Sequence, residues 1–431
     1  MSNVDERALD YLQQGISLMK KEKYETAVEM FNKAIGVEPR YEDAYSALAD
    51  AYANMEKYTE ALETMKKVLL LNPEEGSYYF DLGNLYILVD DIVKAIQNYN
   101  KADEKGYRNY LMYKNLAEIY RDLKQSELVV RNYNKAIECE PLRADLRLEK
   151  AGYYILTGKF DEALETLENL QTIHPDLFDC FEMRAEIYAG LGKYQEALKI
   201  IDEAMQEFSD DVALPVVKMR ILTRMNRIDD VKMLIEKVKG MDDYPVVARN
   251  VLLQEAQIAS MQNDLETAAE AFRTILADSE EVDEEVSFML LNIYNAQEKF
   301  DEGLKLAKEL SLSPNINLYS VSGKYYVPFI LKKQGHTTEA NKEFRKLTSV
   351  LRRITVENPH FYEAYMYRVM CHKELEEYEK ALELADYIEA LDDKIIDAYA
   401  LKFNIYQSMG DVEKAKEMQA IVEKISPGMQ L

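Results

Sequence analysis

The sequence predicts an all-α protein built from tandem pairs of helices, and three observations support this prediction. Glycine (15 residues) and proline (10 residues) are scarce in a chain of 431 residues, which is typical of long helices joined by short connections. Apolar residues recur at i, i+3, i+4 and i+7, so they line one face of each predicted helix. The same pattern returns at a regular interval along the chain, which indicates that each helix pair buries its apolar face against the next.

The repeat is clearest around the stretch YFDLGNLY, residues 79–86, which places a glycine inside an apolar helix. A glycine in a helix interior costs about 1 kcal/mol relative to alanine. The stretch has counterparts one interval before it and one interval after it, with alanine in place of Gly83: Tyr45-Leu48-Ala49-Tyr52 and Tyr113-Leu116-Ala117-Tyr120. We therefore predict that Gly83 lies where the two helices of a pair approach most closely.

A small or apolar residue in the second helix of each pair marks twelve repeats. These residues are Ala27, Ala61, Ala95, Val129, Ala163, Ala197, Val231, Ala268, Gly303, Ala340, Ala381 and Ala415. The first six steps between them are equal at 34, the next four are 37, 35, 37 and 41, and the last is 34 again. The sequence predicts one array over residues 1–431, with regular repeats at 8–211, degenerate repeats at 212–361 and regular repeats at 362–429. The step of 41 favours a longer second helix through EFRKLTSVLRRITVE.

The pattern resembles the tetratricopeptide repeat, W-x2-L-G-x2-Y followed by A-x3-F and then P. The best single match is residues 8–41, with Tyr11, Gly15, Ala27, Phe31, Ala34 and Pro39. The chain departs from the pattern in having no tryptophan, so tyrosine or phenylalanine takes the first position. The resemblance implies a right-handed superhelical α-solenoid whose first helices line a concave groove that binds peptides or protein segments.

Composition limits the partners and the compartment. The net charge of −25 argues against nucleic acid or an anionic membrane as the main partner, because both carry the same sign. No apolar run approaches the ~20 residues of a membrane helix, and the N-terminal stretch lacks a signal-peptide pattern. Cys139, Cys180 and Cys371 are far apart and outside any CxxC motif, as expected for reduced thiols. We predict a cytoplasmic protein.

No motif for chemistry is apparent in the sequence. The histidines form no HExxH motif and do not stand beside cysteines at ligand spacing: His174, His336, His360 and His372. The stretch GLGK at 190–193 lacks the rest of a phosphate-binding loop and is interpreted as a turn. Carboxylates occur throughout this acidic chain, so no pair of them is diagnostic of acid–base catalysis. We predict no enzymatic activity, no cofactor and no metal.

In the resembled family, defined positions of each first helix face the groove, and the early repeats carry mainly acidic residues there. The candidates for partner binding are Asp50, Asn84, Glu118, Asp145, Glu182 and Glu186. The functional interpretation is a site for a basic or polar segment. The alternative is that any exposed surface of so acidic a chain carries carboxylates.

The later repeats offer a different set at the corresponding positions, with aromatic and methionine side chains and nearby lysines. These candidates are Phe288, Asn292, Tyr325, Phe329, Met366, Met370, Lys332 and Lys333. Apolar side chains at groove positions indicate an interaction site. The alternative is that the irregular repeat buries them in its own core, because the register there is uncertain by one residue.

One subfamily binds acidic chaperone tails through a lysine, two asparagines, a lysine and an arginine. Asn84 and Asn115 match its asparagines, but Phe80, Asp145 and Glu149 occupy the other places, so the charge is inverted. We reject that ligand for these repeats. Residues 324–353 are locally basic instead, and could receive an acidic partner or form a solvated helix face.

The sequence therefore predicts a non-enzymatic scaffold or adaptor that binds a protein or peptide in a concave groove. The alternatives are a regulatory peptide-sensing protein and a protein that self-assembles through its terminal repeats. We expect no N-terminal DNA-binding domain, because the first repeat begins near Ala8.

Overall fold

The computed structural model describes residues 4–278, 282–359, 361–391 and 396–426, and these residues form helices and turns with no strand. The described residues divide into two compact units, one up to Ile200 and the other from Ile201 onward. The helices that begin in the first unit are α1 (Glu6–Met19), α2 (Tyr24–Val37), α3 (Glu42–Asn54), α4 (Tyr58–Leu71), α5 (Gly76–Leu88), α6 (Ile92–Glu104), α7 (Tyr110–Asp122), α8 (Ser126–Cys139), α9 (Ala144–Leu156), α10 (Phe160–Ile173), α11 (Phe178–Gly190) and α12 (Tyr194–Glu207).

The helices of the second unit follow in the same alternation. They are α13 (Ala213–Arg224), α14 (Ile228–Lys239), α15 (Tyr244–Met261), α16 (Leu265–Asp278), α17 (Glu284–Ala296), α18 (Phe300–Ser311), α19 (Leu318–Lys333), α20 (Thr337–Glu357), α21 (Tyr362–Glu374), α22 (Tyr378–Leu391), α23 (Ile396–Met409) and α24 (Val412–Ile425). Odd-numbered helices are the first helices of each pair and even-numbered helices are the second. The predicted all-α architecture of tandem helix pairs is confirmed, and α20 is the long second helix expected from the step of 41.

Local sequence explains why each helix forms, and α1 is a clear example. The carboxylate of Asp5 caps its N-terminus by accepting a hydrogen bond from the backbone N–H of Arg7 at 2.9 Å. Its buried residues Ala8, Leu12 and Gly15 follow helical spacing, so α1 presents one apolar stripe to α2.

The turn between the two helices of each pair follows the predicted register. In every pair one residue of this turn has a positive φ, and it lies five residues before the residue that marks the repeat. These turn residues are Glu22, Glu56, Asp90, Lys124, Gly158, Gly192, Asn226, Asn263, Glu298, Gly335, Glu376 and Gly410. Their steps therefore equal those of the marker residues, including the irregular ones between 226 and 376.

The left-handed turn gives a prediction about stability. Glu56 adopts φ 58° and Gly158 adopts φ 70° at the same place in their repeats. Glu56→Gly should raise the free energy of unfolding by about 0.5–1 kcal/mol, because a side chain disfavours this conformation. Gly158→Ala should lower it by a similar amount, although no heavy atom lies within 4 Å of the added Cβ. Urea unfolding of both variants checks this, and shifts of the same sign would contradict it.

The close approach predicted at Gly83 is present. A Cβ at Gly83 would lie 2.5 Å from a ring carbon of Tyr99 in α6, and one at Gly15 would lie 2.3 Å from the ring of Phe31 in α2. Tyr99 and Phe31 are both fully buried. A small residue in the first helix thus makes room for a large ring from the second.

First helices of neighbouring pairs contact each other directly, as α1 contacts α3 and α9 contacts α11. In the second unit the same holds for α17 with α19 and α19 with α21. Side chains of the odd-numbered helices that do not pack against their own second helix therefore lie beside those of the neighbouring odd-numbered helices. We call this surface the first-helix face of each unit. Within the described part of the chain, none of the helices combines the length and the apolar character needed to span a membrane.

Candidate binding surfaces

Three of the predicted acidic-groove residues lie on consecutive first helices of the first unit. Asp50 is on α3, Asn84 on α5 and Glu118 on α7, and each holds the same place in its repeat. Asp50 is exposed, while Asn84 and Glu118 are half-buried. The repeat therefore aligns these three polar side chains across the first-helix face.

The structure adds Asp81, which sequence reasoning missed. Asp81 is half-buried and lies one turn before Asn84 on α5. Burial raises the pKa of Asp81 to about 7, with a further contribution from the negative charge of Asp50.

Asp50 is also perturbed, although its side chain reaches solvent. The surrounding protein atoms displace part of its hydration, and this desolvation raises the pKa of Asp50. Neither Asp50 nor Asp81 forms an ion pair within the part of the chain that the structure describes. The two carboxylates therefore have no cationic partner among the described residues.

A signal for Asp81 was present in the sequence. The equivalent position is Asn115 in the next repeat and Glu149 in the repeat after that, and both residues are polar. The prediction used only the groove positions of the resembled family, and this place was not among them.

A buried tyrosine holds the two asparagines of the first-helix face. The hydroxyl of Tyr99 donates to Oδ1 of Asn84 at 2.7 Å and accepts from Nδ2 of Asn115 at 3.2 Å. The ring of Tyr99 packs against Gly83, so the close approach of α5 and α6 also positions the Tyr99 hydroxyl beside Asn84. The amide group of Asn84 keeps its N–H donors for another partner, because its oxygen accepts the tyrosine proton.

Near α9, basic residues of the chain itself form ion pairs with the acidic residues of this face. Lys114 on α7 forms an ion pair with Glu149 on α9. Asp145 pairs with Arg143 at 3.0 Å. Glu182 and Glu186 are half-buried on α11. Asp50 on α3 and Asp81 on α5 are therefore carboxylates of this face for which the described residues provide no ion pair.

The aromatic candidates of the second unit form one connected cluster on its first-helix face. Phe288 on α17 packs against Tyr319 and Tyr326 of α19, with ring centroids 6.0 and 6.4 Å apart. The hydroxyl of Tyr326 donates to Oδ1 of Asn292 at 2.8 Å. Phe329 packs edge-on against Tyr326 at 5.8 Å. Phe288, Asn292 and Phe329 are half-buried.

Tyr325 adjoins this cluster, with its ring stacked on Phe329 at 5.7 Å, but it is a core residue rather than a surface residue. It is only 3% exposed and packs against Phe344 and Tyr367 at 5.8 and 5.4 Å. Burial raises its pKa well above the usual range. The residue that faces Asn292 is Tyr326, so the surface register in α19 differs by one residue from the predicted one.

The remaining candidates of the second unit differ in availability. Lys332 is committed to Glu374 of α21 by an ion pair of 3.0 Å. Lys333 is exposed and lies 5.5 Å from the ring centroid of Phe329. Met366 and Met370 are half-buried on α21. The accessible part of this cluster thus combines aromatic edges, two methionines and one cation.

The histidines have structural partners at two places. His174 lies 2.9 Å from the backbone oxygen of Leu142, and His372 lies 2.9 Å from a carboxylate oxygen of Glu377. Burial lowers the pKa of His372. His360 is outside the described residues. Across the ranges that the structure describes, no group of His, Cys, Asp and Glu could hold a metal ion.

Comparison with known families agrees with this geometry. Residues 18–85 match the family model described as tetratricopeptide repeat. Residues 18–85 are therefore identified as tetratricopeptide repeats. The matched segment spans the end of α1 to the later part of α5. Helix pairs whose positive-φ turn residue lies five residues before the marker residue continue through α24. A comparison with curated proteins gave no match.

Solved structures similar to this chain include the following three. YrrB, titled a TPR protein with an unusual peptide-binding site, is 23% identical, with 42% of this chain and 92% of that chain covered and a TM-score of 0.35. A tetratricopeptide repeat protein from Parabacteroides merdae is 18% identical, with coverages of 58% and 99% and a TM-score of 0.36. The APC/C hetero-tetramer Cut9-Hcn1 is 12% identical, with coverages of 97% and 94% and a TM-score of 0.41.

Proposed function

We propose that this chain is a tetratricopeptide repeat protein that serves as a non-enzymatic interaction scaffold, and that the first-helix face of its first unit binds a basic segment of a partner protein. The observation that carries the proposal is the pair Asp50 and Asp81. Their carboxyl groups have raised pKa values and no ion-pair partner among the described residues. An ammonium or guanidinium group from outside would satisfy both.

The neighbouring groups suit an extended peptide. Asn84 offers amide N–H donors beside the two carboxylates, and Glu118 adds another negative charge on the next first helix. Helix pairs that are already packed hold these groups in place before a partner arrives. A preformed surface limits the entropy lost on binding, which favours affinity for a flexible segment.

The aromatic cluster of the second unit supports a second contact region for the same scaffold. Phe329 and Lys333 are accessible there beside Met366 and Met370. Contacts to this cluster would tolerate salt, because they rest on apolar burial. Contacts to the acidic face would weaken with salt, because exposed charges are screened within about 8 Å at physiological ionic strength.

Affinity capture from a lysate of the source cell, read by mass spectrometry, tests the proposal with three baits. The first is the wild-type chain. The second, the acidic-face variant, carries Asp50→Lys, Asp81→Asn and Glu118→Lys. The third, the aromatic variant, carries Phe288→Ala, Tyr326→Ala and Phe329→Ala. Far-UV circular dichroism and thermal unfolding first establish that each variant is folded.

We expect a partner with a basic segment that the wild type and the aromatic variant retain and the acidic-face variant loses. Capture of that partner should fall when the ionic strength is raised. A partner retained equally by all three baits would contradict the proposal and place the contact outside both first-helix faces.

A further inference from the structure

A basic residue of one first helix pairs with an acid of the preceding second helix in three repeats. The nitrogen and oxygen atoms are 3.5 Å apart for Glu168 and Arg184, 2.6 Å for Asp202 and Lys218, and 2.5 Å for Asp386 and Lys402. The acid precedes the base by the same interval along the chain in all three pairs. The fold therefore has a recurring place where a carboxylate of the second helix meets a cation of the next first helix.

At the junction of α14 and α15 the charges are reversed, because Lys239 of the second helix lies 2.6 Å from Glu255 of the next first helix. The junction of α20 and α21 differs from all four, because it has a cation at both places. Arg368 on α21 holds the place of the base, directly before buried Val369, as Arg184 does before buried Ala185. At the place of the acid, the same interval earlier on α20, stands Arg352. Two cations thus lie where four other junctions join a cation to an anion.

The arginine pair is not satisfied from within the described chain. Neither Arg352 nor Arg368 forms an ion pair with any described carboxylate. The Nε of Arg368 is buried and has no hydrogen-bond partner there. The Nε of Arg184 is also without one, but its terminal nitrogens bind Gln171 and Glu168. Burial lowers the pKa of Arg368, and the charge of Arg352 lowers it further.

The surface of α20 around this pair is positively charged. Its lysines and arginines are Lys342, Arg345, Lys346, Arg352 and Arg353. Lys346 pairs with Glu343 at 2.6 Å, and Arg353 lies 3.9 Å from Glu357. Arg345 lies two turns before Arg352, so both point to the same side of the helix. This concentration of positive charge occurs in a chain of net charge −25.

We propose that Arg352 and Arg368 bind a carboxylate of an acidic protein segment, which supplies from outside the acid that three other repeats supply from their own second helix. A carboxylate is the matching group because Glu168, Asp202 and Asp386 fill this place elsewhere in the fold. Guanidinium groups hold carboxylates through two parallel hydrogen bonds. This site is on the other unit from the acidic face and takes the opposite charge, so it is independent of the proposed function.

Arg352→Glu tests the inference because it installs the missing acid beside Arg368. The probe is a fluorescein-labelled oligoglutamate peptide, with an oligoglutamine peptide as its uncharged match, and binding is followed by fluorescence anisotropy. We expect the variant to bind oligoglutamate about tenfold more weakly or worse, because a charge-assisted hydrogen bond is lost. The variant should also unfold at a higher temperature than the wild type, because an internal ion pair replaces two like charges.

Arg353→Glu is the matched control. It makes the same charge change on the neighbouring residue of α20, whose side chain is 73% exposed and already beside Glu357. We expect it to weaken binding by no more than about threefold, as is usual for screened surface charges. Arg368→Gln provides a second disruptive variant and should lose binding as Arg352→Glu does.

Three results would overturn the inference. Equal losses in Arg352→Glu and Arg353→Glu would mean that the basic surface acts as a diffuse field rather than a site. Inorganic phosphate that displaces labelled oligoglutamate as effectively as the unlabelled peptide does would mean that the pair binds anions in general and not an acidic segment. A lower unfolding temperature for Arg352→Glu would equally contradict it, because a carboxylate beside Arg368 would then destabilise the fold.

Discussion

Gly323→Ala should lower the free energy of unfolding by about 3 kcal/mol, because the added methyl group has no room. Its Cβ would lie 2.6 Å from the backbone nitrogen of Ser311 and 2.8 Å from the backbone oxygen of Ala307. These are main-chain atoms of α18, so no side chain can rotate away to relieve the contact. Helices α18 and α19 would have to separate, and the urea midpoint followed by far-UV circular dichroism should fall accordingly.

Gly152→Ala is the control for this substitution. Gly152 also lies inside a first helix, α9, but no heavy atom is within 4 Å of the Cβ that alanine would add. Alanine is the better helix former, so this variant should be about 1 kcal/mol more stable than the wild type. If both substitutions stabilised the chain, the close approach of α18 and α19 would be contradicted.

Asp81→Asn should stabilise the folded chain, and more so at pH 8 than at pH 6. The pKa of Asp81 is about 7 in the folded chain against an ordinary 3.8, so the folded state holds this proton more tightly than the unfolded state. Folding stability therefore falls as pH rises toward 7 and stays low above it, because the carboxylate is then charged in a half-buried place. Asparagine carries no charge, so the variant does not lose folding stability as the pH rises.

Asp50→Asn tests the cause of this pH dependence. The negative charge of Asp50 contributes to the raised pKa of Asp81, so its removal should lower that pKa. The stabilities of Asp50→Asn and Asp81→Asn should then be non-additive, as expected for groups that interact. Urea midpoints of the two single variants and the double variant at both pH values measure the coupling. Strict additivity would show that the two carboxylates do not sense each other.

The same titration has a consequence for binding. A partner cation stabilises the ionised form of Asp81, so affinity for a basic segment should increase as pH rises through 7. The carboxylate is then a group that lowers stability of the free chain and gains its partner only in the complex.

The sequence was sufficient for the architecture because helix pairing leaves a strict local signature. Gly83 is small because the ring of Tyr99 fills the space beside it, and that geometry returns wherever the spacing does. The turn residues with positive φ follow the same steps even between residues 226 and 376. Spacing between marker residues therefore carried the register through the degenerate repeats.

Surface positions were harder to predict because burial there depends on tertiary contacts that spacing does not reveal. In α19, Gly323 lies against the backbone of α18, and Tyr325 packs among α20 and α21 while Tyr326 faces Asn292. A one-residue change of register moves a helical side chain by about 100°, which is enough to exchange a surface ring for a core ring. Asp81 was missed for a related reason, since its significance comes from Asp50 on another helix.

Carbodiimide cross-linking of the captured complex, read by mass spectrometry, identifies the carboxylates that contact the partner. The reagent joins a carboxylate to an amine that is in contact with it, so it records which carboxylates meet partner lysines. We expect cross-links from Asp50, Asp81 or Glu118 to lysines of the partner, and their loss in the acidic-face variant. Cross-links confined to the second helices or to the second unit would contradict it.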